Sequence, residues 1–304
     1  MNIDEIITFL KIVELQSISA AANKLYISQS SASNRISHLE NSLGVTLIHR
    51  AKGIKTISLT AEGEYFLPIA QQWLALYNDV QNLKESNHVQ TYKIIGNNIV
   101  NTYLLPYIYS DFSNKYKNIM IHSQTEHSTE AYQLVANQLA DLAIVFPQHY
   151  VPNIISQPLF KEDMVFICHK NSHFASSHLV DDLIDSHEVY ARWSSEYETW
   201  HQRYFPYSQR FKIVIGSATM FIEFLTETKD WAIVSRMVGD SIHLNKPDFI
   251  TIDHSDLPSR TAYLLSHKYP KPGTKQINKL FINELVKHLK SNPSITLIEN
   301  NQEW

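Results

Sequence analysis

The sequence predicts two parts, an all-α N-terminal part with a short β-hairpin and a C-terminal α/β part. Three observations predict this division. Residues 1–43 carry apolar side chains at helical spacing, residues 60–86 form one long helical pattern, and from residue 90 apolar runs alternate with helical stretches. With 304 residues, the chain is long enough for two or three compact units, each with its own core.

Composition indicates a soluble globular protein with a local basic segment. The chain is 44% hydrophobic and 18% charged, and its net charge of -4 excludes a protein that is basic throughout. Between residues 28 and 60, however, the charged side chains are four basic ones, Arg35, Arg50, Lys52 and Lys55, and one acidic one, Glu40. Such asymmetry is typical of a small nucleic-acid-binding part on a larger body, although charge alone favours a solvated surface.

The cysteine usage and the N-terminus bear on location. Cys168 is the single cysteine, and its place in the apolar run MVFIC predicts a buried strand residue in a reducing compartment. Asp4 and Glu5 stand where a signal peptide carries basic residues, and Lys11 and Glu14 interrupt the apolar run. No uncharged apolar stretch reaches the ~18 residues of a membrane span. The sequence therefore predicts a cytoplasmic protein.

Two helices are predicted before residue 26. The first, in IDEIITFLKIVEL, places apolar residues at i, i+3, i+4 and i+7, namely Ile6, Phe9, Leu10 and Val13. Ser19 is expected to cap a short second helix in AAANKL, whose alanines let another helix cross closely. Ser28 is then expected to cap a third helix, with Ile27 packing just before it.

The third helix, in SQSSASNRISHLE, has two unlike faces. One face is apolar and holds Ala32, Ile36, Leu39 and Leu43. The opposite face is short and polar and holds Ser30, Ser33, Asn34, Ser37 and Asn41. Serine and asparagine lower helix propensity, whereas a plain solvated helix more usually carries Glu, Lys and Gln. Short hydroxyls can reach phosphates and base edges in a DNA major groove, and the amides of Gln29 and Asn34 can pair with adenine. The pattern fits a helix-turn-helix.

A basic hairpin follows in LGVTLIHRAKGIKTISLT. Gly44 is a helix stop, and two short apolar or β-branched runs flank a loop with Arg50, Lys52 and Lys55. This predicts a wing, a β-hairpin beside the recognition helix whose basic residues can reach phosphates or the minor groove.

In this region the chain resembles the LysR-type transcriptional regulators. The resemblance rests on SISAAANKLYISQSSASNRISHLENSLGVTLIHR and ISLTAEGEYFL, many matching positions in order. Family members commonly have Pro and Ala where this chain has Ser30 and Ser31, and the wing here is longer. By resemblance, the residues expected at DNA are Ser28, Gln29, Ser30, Ser33, Asn34, Ser37, Arg50, Lys52 and Lys55.

The resemblance also implies partners. It implies binding to imperfect palindromic sites in double-stranded promoter DNA, a homodimer or homotetramer, and contact with RNA polymerase if the protein is an activator. It implies no membrane partner and no cofactor, but a small-molecule effector.

A long helix is predicted from Thr60 to about Ser86, with Thr60 as its cap. Its apolar residues alternate steps of four and three, the spacing of a coiled-coil seam: Phe66, Ala70, Trp73, Tyr77 and Val80. We expect a dimer helix, as the family uses, with an ordinary core helix as the alternative. Pro68 predicts a kink at residues 64–68. The expected domains are residues 1–60 (winged helix-turn-helix), 61–89 (linker and dimer helix) and 90–304 (effector domain).

Residues 90–304 alternate strand and helix patterns, which predicts parallel α/β units. The landmarks LLP, DLAIVF and PLFKEDMVFICHKNSHFA resemble the family's effector domain, a two-lobed fold like that of type 2 periplasmic binding proteins. The lobes are expected at about 90–160 with 267–292, and at 161–266.

In open sheets a ligand binds beyond the carboxyl ends of parallel strands, near helix N-termini. Arg192 is able to pair with a carboxylate, or is simply exposed; Trp193 is able to stack on a ring, or fills the hinge. The residues expected at the effector are Asn97, Asn98, Ile99, His127, Ser128, Thr129, Phe146, Pro147, Arg192, Trp193, Ser217, Ala218 and Thr219.

Other classes of protein lack their usual signals. No G-x-S-x-G, H-E-x-x-H, P-loop or paired cysteines occur, so we do not expect an enzyme. A solute-binding protein or a metabolite-binding enzyme on the same two-lobed fold remains the alternative. The best metal candidates are His169, His173 and His178, but no carboxylate stands at ligand spacing before Asp181, and no metal site is predicted.

Overall fold

The computed structural model describes residues 1–49, 57–82, 89–183, 185–205, 210–271 and 273–298. Arg50, Lys52 and Lys55 of the predicted wing lie outside these residues, as does the predicted end of the long helix beyond residue 82. The chain divides into two units, Met1–Val89 with Asn137–Leu139, and Gln90–Ala136 with Ala140–Trp304. Within the described ranges, no helix is both long enough and apolar enough to cross a bilayer.

The first unit begins with three helices, α1 (Ile3–Leu15), α2 (Ile18–Lys24) and α3 (Gln29–Leu43). Ser28 caps α3 as predicted, because its hydroxyl accepts a hydrogen bond from Ser31 N at 3.1 Å. The cap of α2 is Ser17 and not Ser19, since the helix already begins at Ile18 and Ala20 N donates to Ser17 Oγ at 3.2 Å. The core of these helices consists of fully buried side chains, among them Ile6, Phe9, Ile12, Ala21, Ile36 and Leu39.

A two-stranded antiparallel hairpin follows, formed by β1 (Ile48–His49) and β2 (Ser58–Leu59). Glu40 of α3 fixes this hairpin, because its Oε1 accepts hydrogen bonds from Leu47 N at 2.9 Å and Ile48 N at 3.3 Å. The predicted base of the wing is therefore present and tied to the third helix.

The long helix, α4 (Ala61–Asn82), starts against this hairpin. Thr60 is its cap as predicted, accepting from Gly63 N at 3.0 Å and donating to Thr46 O at 2.6 Å. Gly63 allows the close approach, since an added Cβ would lie 2.0 Å from Leu47 O. Pro68 lies inside the helix, and the kink expected there stays a prediction.

The structure corrects part of the predicted seam on α4. Phe66 and Ala70 are buried in the core of their own unit, where the Phe66 ring lies 5.4 Å from the ring of Phe9. Of the residues at this spacing, only the later ones, Trp73, Tyr77 and Val80, are exposed. The apolar side chains that α4 exposes are Tyr65, Ile69, Trp73, Leu76, Tyr77 and Val80.

The second unit contains an eight-stranded mixed sheet. Parallel pairing, as expected, joins β3 (Gln90–Gly96) to β4 (Ile119–Thr125) and to β5 (Leu142–Val145). The later strands of this sheet are antiparallel, which the expectation of purely parallel units did not include: β11 (Ser259–His267) pairs antiparallel with β5 and with β6 (Ile154–His169). The helices of this half are α5 (Leu105–Lys115), preceded by a π-helix at Val100–Leu104, α6 (Ser128–Ala136) and α11 (Thr274–Ser291).

The strand β6 crosses between the two lobes. Its first part pairs with β11 as far as Asp163, and its second part pairs with β9 (Trp231–Ser235) and β10 (Phe249–Ile252). We define lobe I as residues 90–136, 140–163 and 259–298, and lobe II as residues 164–258. This corrects the expected boundaries at 160/161 and 266/267, because β11 belongs entirely to the sheet of lobe I.

Lobe II also contains a parallel pair of strands, β7 (Val189–Ala191) and β8 (Ile213–Ile215). Its helices are α7 (His173–Ser177), α8 (Ser195–Tyr204), α9 (Phe221–Phe224) and α10 (Arg236–Asn245). The helix expected at Thr219–Glu227 is shorter, since Thr226 N and Glu227 N turn to donate to Asp230 Oδ2 at 2.8 and 2.6 Å. Cys168 is buried in β6, as predicted.

Candidate DNA-binding face and effector cleft

The third helix presents its short polar side chains to the surface. Ser28, Gln29, Ser30 and Asn34 are exposed, and Ser33 is half-buried. Ser37 is half-buried too, and its hydroxyl donates to Ser33 O at 3.0 Å, within the helix itself. The apolar side chains of Ala32, Ile36 and Leu39 are fully buried beneath this face. Burial thus separates the two faces as the sequence pattern predicted.

Two residues near this face have features that the sequence did not reveal. Arg35, counted there as part of a basic segment, pairs with Asp4 at 3.2 Å and donates to Thr8 Oγ1 at 3.4 Å, so it ties α3 to α1. Tyr26, in the turn before α3, is 96% exposed and has a φ of 56°. A positive φ at a bulky residue is uncommon and marks a tight turn, which the sequence signals only by the short spacing between helices.

The second unit contains a cleft of about 600 Å³. The predicted residues that line it are Asn97, Asn98, Ile99, His127, Arg192, Trp193, Ser217 and Ala218. The lining residues that sequence reasoning missed are Thr125, Glu126, Ala191, Val214, Ile215, Gly216 and Arg260. Most of these missed residues are direct neighbours of predicted ones at strand ends, whereas Arg260 comes from the start of β11.

Five predicted residues do not line the cleft: Ser128, Thr129, Phe146, Pro147 and Thr219. Two of them, Ser128 and Phe146, make contacts with or next to residues that line it. The Ser128 hydroxyl donates to Phe146 O, joining the start of α6 to the end of β5. The ring of Phe146 contacts the guanidinium group of Arg260. Ser128 and Phe146 therefore support the wall of the cleft but do not line it.

Asn101, in the π-helix, holds two walls of the cleft together. Its Nδ2 donates to Gly96 O at 3.1 Å, Gln124 O at 2.9 Å and Thr125 Oγ1 at 2.8 Å. Its Oδ1 accepts from Tyr109 OH at 3.3 Å. These contacts join the carboxyl ends of β3 and β4, from which residues 97–99 and 125–127 enter the cleft. π-helical turns are often found at functional sites.

The structure decides how Arg192 and Trp193 are placed. Arg192 is 76% exposed on its side chain, and its Nε lies 3.2 Å from Glu198 Oε1. Trp193 is anchored in lobe II, since its Nε1 donates to Ile233 O at 2.9 Å and its ring stacks on Phe221 at 5.8 Å. Trp193 therefore lines the cleft from an anchored position, and Arg192 lines it as an exposed cation paired with Glu198.

Arg260 enters the cleft with a buried partner. Its Nε and Nη2 both donate to one oxygen, Glu162 Oε2, at 3.0 and 2.7 Å, and the Glu162 side chain of this ion pair is fully buried. The other oxygen, Glu162 Oε1, accepts from Met237 N at 3.0 Å. The guanidinium carbon lies 4.3 Å from the ring centroid of Phe146 and 5.3 Å from that of Trp193.

A metal-type cluster forms at a place other than the predicted best case. Within the described part of the chain, His187, Glu227 and Asp230 are the group whose ligand atoms lie within 4.8 Å of one another. Lys212 Nζ lies 2.6 Å from Asp230 Oδ2 and 3.8 Å from Glu227, and so supplies a positive charge there. Burial opposes ionisation of Asp230, but hydrogen bonds from Lys212 and from Glu227 N outweigh it and lower the pKa of this carboxyl.

A helix-turn-helix unit with a short β-hairpin and a long helix, followed by a two-lobed unit with a cleft, is an architecture that suits a DNA-binding transcriptional regulator. Comparison with known families makes this specific. The model described as a bacterial regulatory helix-turn-helix protein, lysR family, matches residues 3–64. The model of the LysR substrate binding domain matches residues 89–281. The chain therefore belongs to the LysR family.

Individual proteins agree with this assignment. A probable RuBisCO transcriptional regulator from Cyanidioschyzon merolae is 28% identical over 180 residues, covering 57% of this chain and 59% of that protein. A full-length OxyR variant from Pseudomonas aeruginosa has a TM-score of 0.68 at 14% identity, covering 99% of both chains. Full-length CbnR complexed with its target DNA has a TM-score of 0.65 at 19% identity, covering 95% of this chain and 99% of that one. The matched segment spans 59% of the length of the first of these.

Proposed function

We propose that this protein is a sequence-specific DNA-binding regulator of transcription whose activity a small molecule controls. The observation that carries the proposal is α3, with Ala32, Ile36 and Leu39 buried while Ser28, Gln29 and Asn34 are exposed. A helix anchored in this way leaves mainly hydrogen-bonding side chains at its surface, and contact with base edges and phosphates requires such groups. Such a regulator acts on chromosomal DNA and hence in the cytoplasm.

The DNA-binding proposal is tested by a mobility-shift assay with the DNA upstream of the protein's own gene. Ser33→Ala and Asn34→Ala should each weaken binding, and Asn171→Ala, at an exposed asparagine of the second unit, is the matched control. Binding should fall steeply as salt rises, because phosphate contacts release counterions. Equal affinity for all four chains, or no affinity at low salt, would contradict the proposal.

We propose further that two copies pair through the surface that α4 leaves exposed. Ile69, Trp73, Leu76, Tyr77 and Val80 are 41%, 41%, 47%, 37% and 56% exposed. Contiguous apolar side chains on one helix are typical of a surface that another protein covers. A two-fold axis there would present two copies of α3 to the two halves of a palindromic site.

The cleft is the proposed effector site. Its volume of about 600 Å³ lies within the range of ~300–1,000 Å³ of small-molecule sites. Amides, hydroxyls and an aromatic wall together suit a small polar metabolite. A thermal-shift screen of organic acids, amino acids and aromatic metabolites on the full chain tests this, since a ligand that binds only the folded state raises Tm. We propose regulation rather than catalysis, since the family's members are transcriptional regulators.

A further inference from the structure

The crossover between the lobes contains a charged pair that reaches both of them. Glu162 and Arg260 are directly paired in the β6–β11 ladder, one rung before Asp163 and Ser259, where β6 leaves lobe I. Immediately beyond, Met164 N donates to Pro258 O at 3.1 Å. Any change in the angle between the lobes has to act on the backbone beside this pair.

Both members of the pair contact lobe II. Glu162 Oε1 accepts from Met237 N in the first turn of α10, a helix whose own cap residue, Ser235, makes no side-chain cap hydrogen bond. The guanidinium group of Arg260 lies against Trp193 of lobe II and against Phe146 of lobe I. A cation over an aromatic ring is attracted by the ring's negative face, and more so where water is excluded.

Separating Glu162 from Arg260 would leave a buried charge without a partner. The side chain of Glu162 is fully buried and that of Arg260 is 17% exposed. A buried carboxylate whose cation is removed is strongly destabilised, because neither water nor another charge compensates it. The ion pair with Glu162 therefore keeps Arg260 where it contacts both lobes.

We propose that Arg260 is a positioning residue that couples the effector cleft to the angle between the lobes. It lines the cleft, so a molecule bound there meets it. It also holds Glu162 against α10 and touches one aromatic ring on each lobe, so any displacement changes how lobe II is held. This inference rests on the proposed function, in that regulation by an effector requires the cleft to control the arrangement of the lobes.

The test measures the distance between the lobes in the full chain, without any effector. Nitroxide labels on Ser113→Cys in α5 and Thr199→Cys in α8 report it by pulsed electron paramagnetic resonance, since both positions are exposed. Cys168 is 1% exposed and remains unlabelled in the folded chain. Excess unlabelled chain suppresses distances between subunits.

The matched control is another ion pair of similar burial that lies wholly within lobe II. Lys212 is 23% exposed and its partner Asp230 is fully buried, against 17% and fully buried for Arg260 and Glu162. Arg260→Gln and Glu162→Gln should broaden the distance distribution or move its maximum. Lys212→Gln should lower Tm yet leave the distribution as in the wild type. Arg260→Lys keeps the charge but not the two guanidinium donors that meet Glu162 Oε2, and we expect it to broaden the distribution as well.

Two results overturn the inference. One is a wild-type distribution in Arg260→Gln. The other is an equal change in Lys212→Gln, which would mean that any lost buried charge loosens the unit. If circular dichroism shows Arg260→Gln to be unfolded, the double variant Glu162→Gln with Arg260→Gln takes its place, because it leaves no unpaired buried charge. The distance measurement needs no DNA, so failure of the mobility-shift assay would contradict the proposed function and leave this result intact.

Discussion

Gly96 and Asn101 are expected to be energetically coupled, and the geometry allows the coupling to be worked out. A Cβ added at Gly96 would lie 2.7 Å from Asn101 Oδ1 and 2.9 Å from its Cγ. Gly96→Ala should therefore destabilise the effector unit by about 1–3 kcal/mol, the usual range for overpacking a close contact. The neighbour cannot simply move aside, because its Nδ2 is held by acceptors on both strand ends.

The second perturbation, Asn101→Ala, removes those hydrogen bonds. Its two N–H donors, at about 0.5–1.5 kcal/mol each, account for about 1–3 kcal/mol. It also removes the atoms that a Cβ at Gly96 would meet. In the Asn101→Ala background, Gly96→Ala should thus cost less than about 0.5 kcal/mol, giving a coupling energy of about 1–3 kcal/mol in favour of the double variant.

The assay is urea unfolding of the full chain, followed by tryptophan fluorescence, for the wild type, both single variants and the double variant. Gly216→Ala is the control, because a Cβ there meets no atom within 4 Å, although Gly216 also lines the cleft. It should change stability by less than about 0.5 kcal/mol. Additive effects of Gly96→Ala and Asn101→Ala would refute the reasoning, as would an equal loss in Gly216→Ala.

Three further predictions concern other parts of the chain. Ser28→Asp should keep the cap of α3, and hence Tm, while weakening DNA binding in the mobility-shift assay, because it adds a negative charge where phosphates are expected; unchanged affinity would mean that this helix end is not at DNA. Trp73→Ala should shift the chain toward monomer in sedimentation velocity with unchanged circular dichroism, whereas Tyr150→Ala, at an exposed aromatic residue of the second unit, should not. Burial raises the pKa of Tyr109 from 10.0 to about 12, so the folded chain holds this proton more tightly and the resulting stability is lost as pH rises from 10 to 12. Tyr109→Phe should flatten that part of the stability profile in urea titrations, and an unchanged slope would count against the assigned burial.

The sequence predicts best where one face of an element is buried and the other is exposed. In α3 the period of Ala32, Ile36 and Leu39 is visible in a single segment, and their burial confirms it. The fold class was predicted from the family resemblance, and that resemblance rests on many matching positions in order. In both cases the information is local and redundant.

Prediction fails where a role depends on a distant partner. Arg35 looks like a free cation in the sequence, yet Asp4 in another helix pairs with it. Phe66 and Ala70 continue a seam spacing, but the helices that cover them come from earlier in the chain. Arg260 lies at the start of β11 and not after the carboxyl end of a parallel strand. It reaches the cleft because β11 begins where the chain returns from lobe II. Spacing along the chain carries no signal for such contacts.

The course of β6 and β11 also constrains how the chain can fold during synthesis. Lobe II is inserted between the two strands that complete the sheet of lobe I, so β5 and the first part of β6 keep open edges until residues 259–267 have left the ribosome. Open edges invite pairing with other chains. A nascent chain that stops within lobe II therefore carries an unfinished lobe I, and we expect chaperones to engage it there.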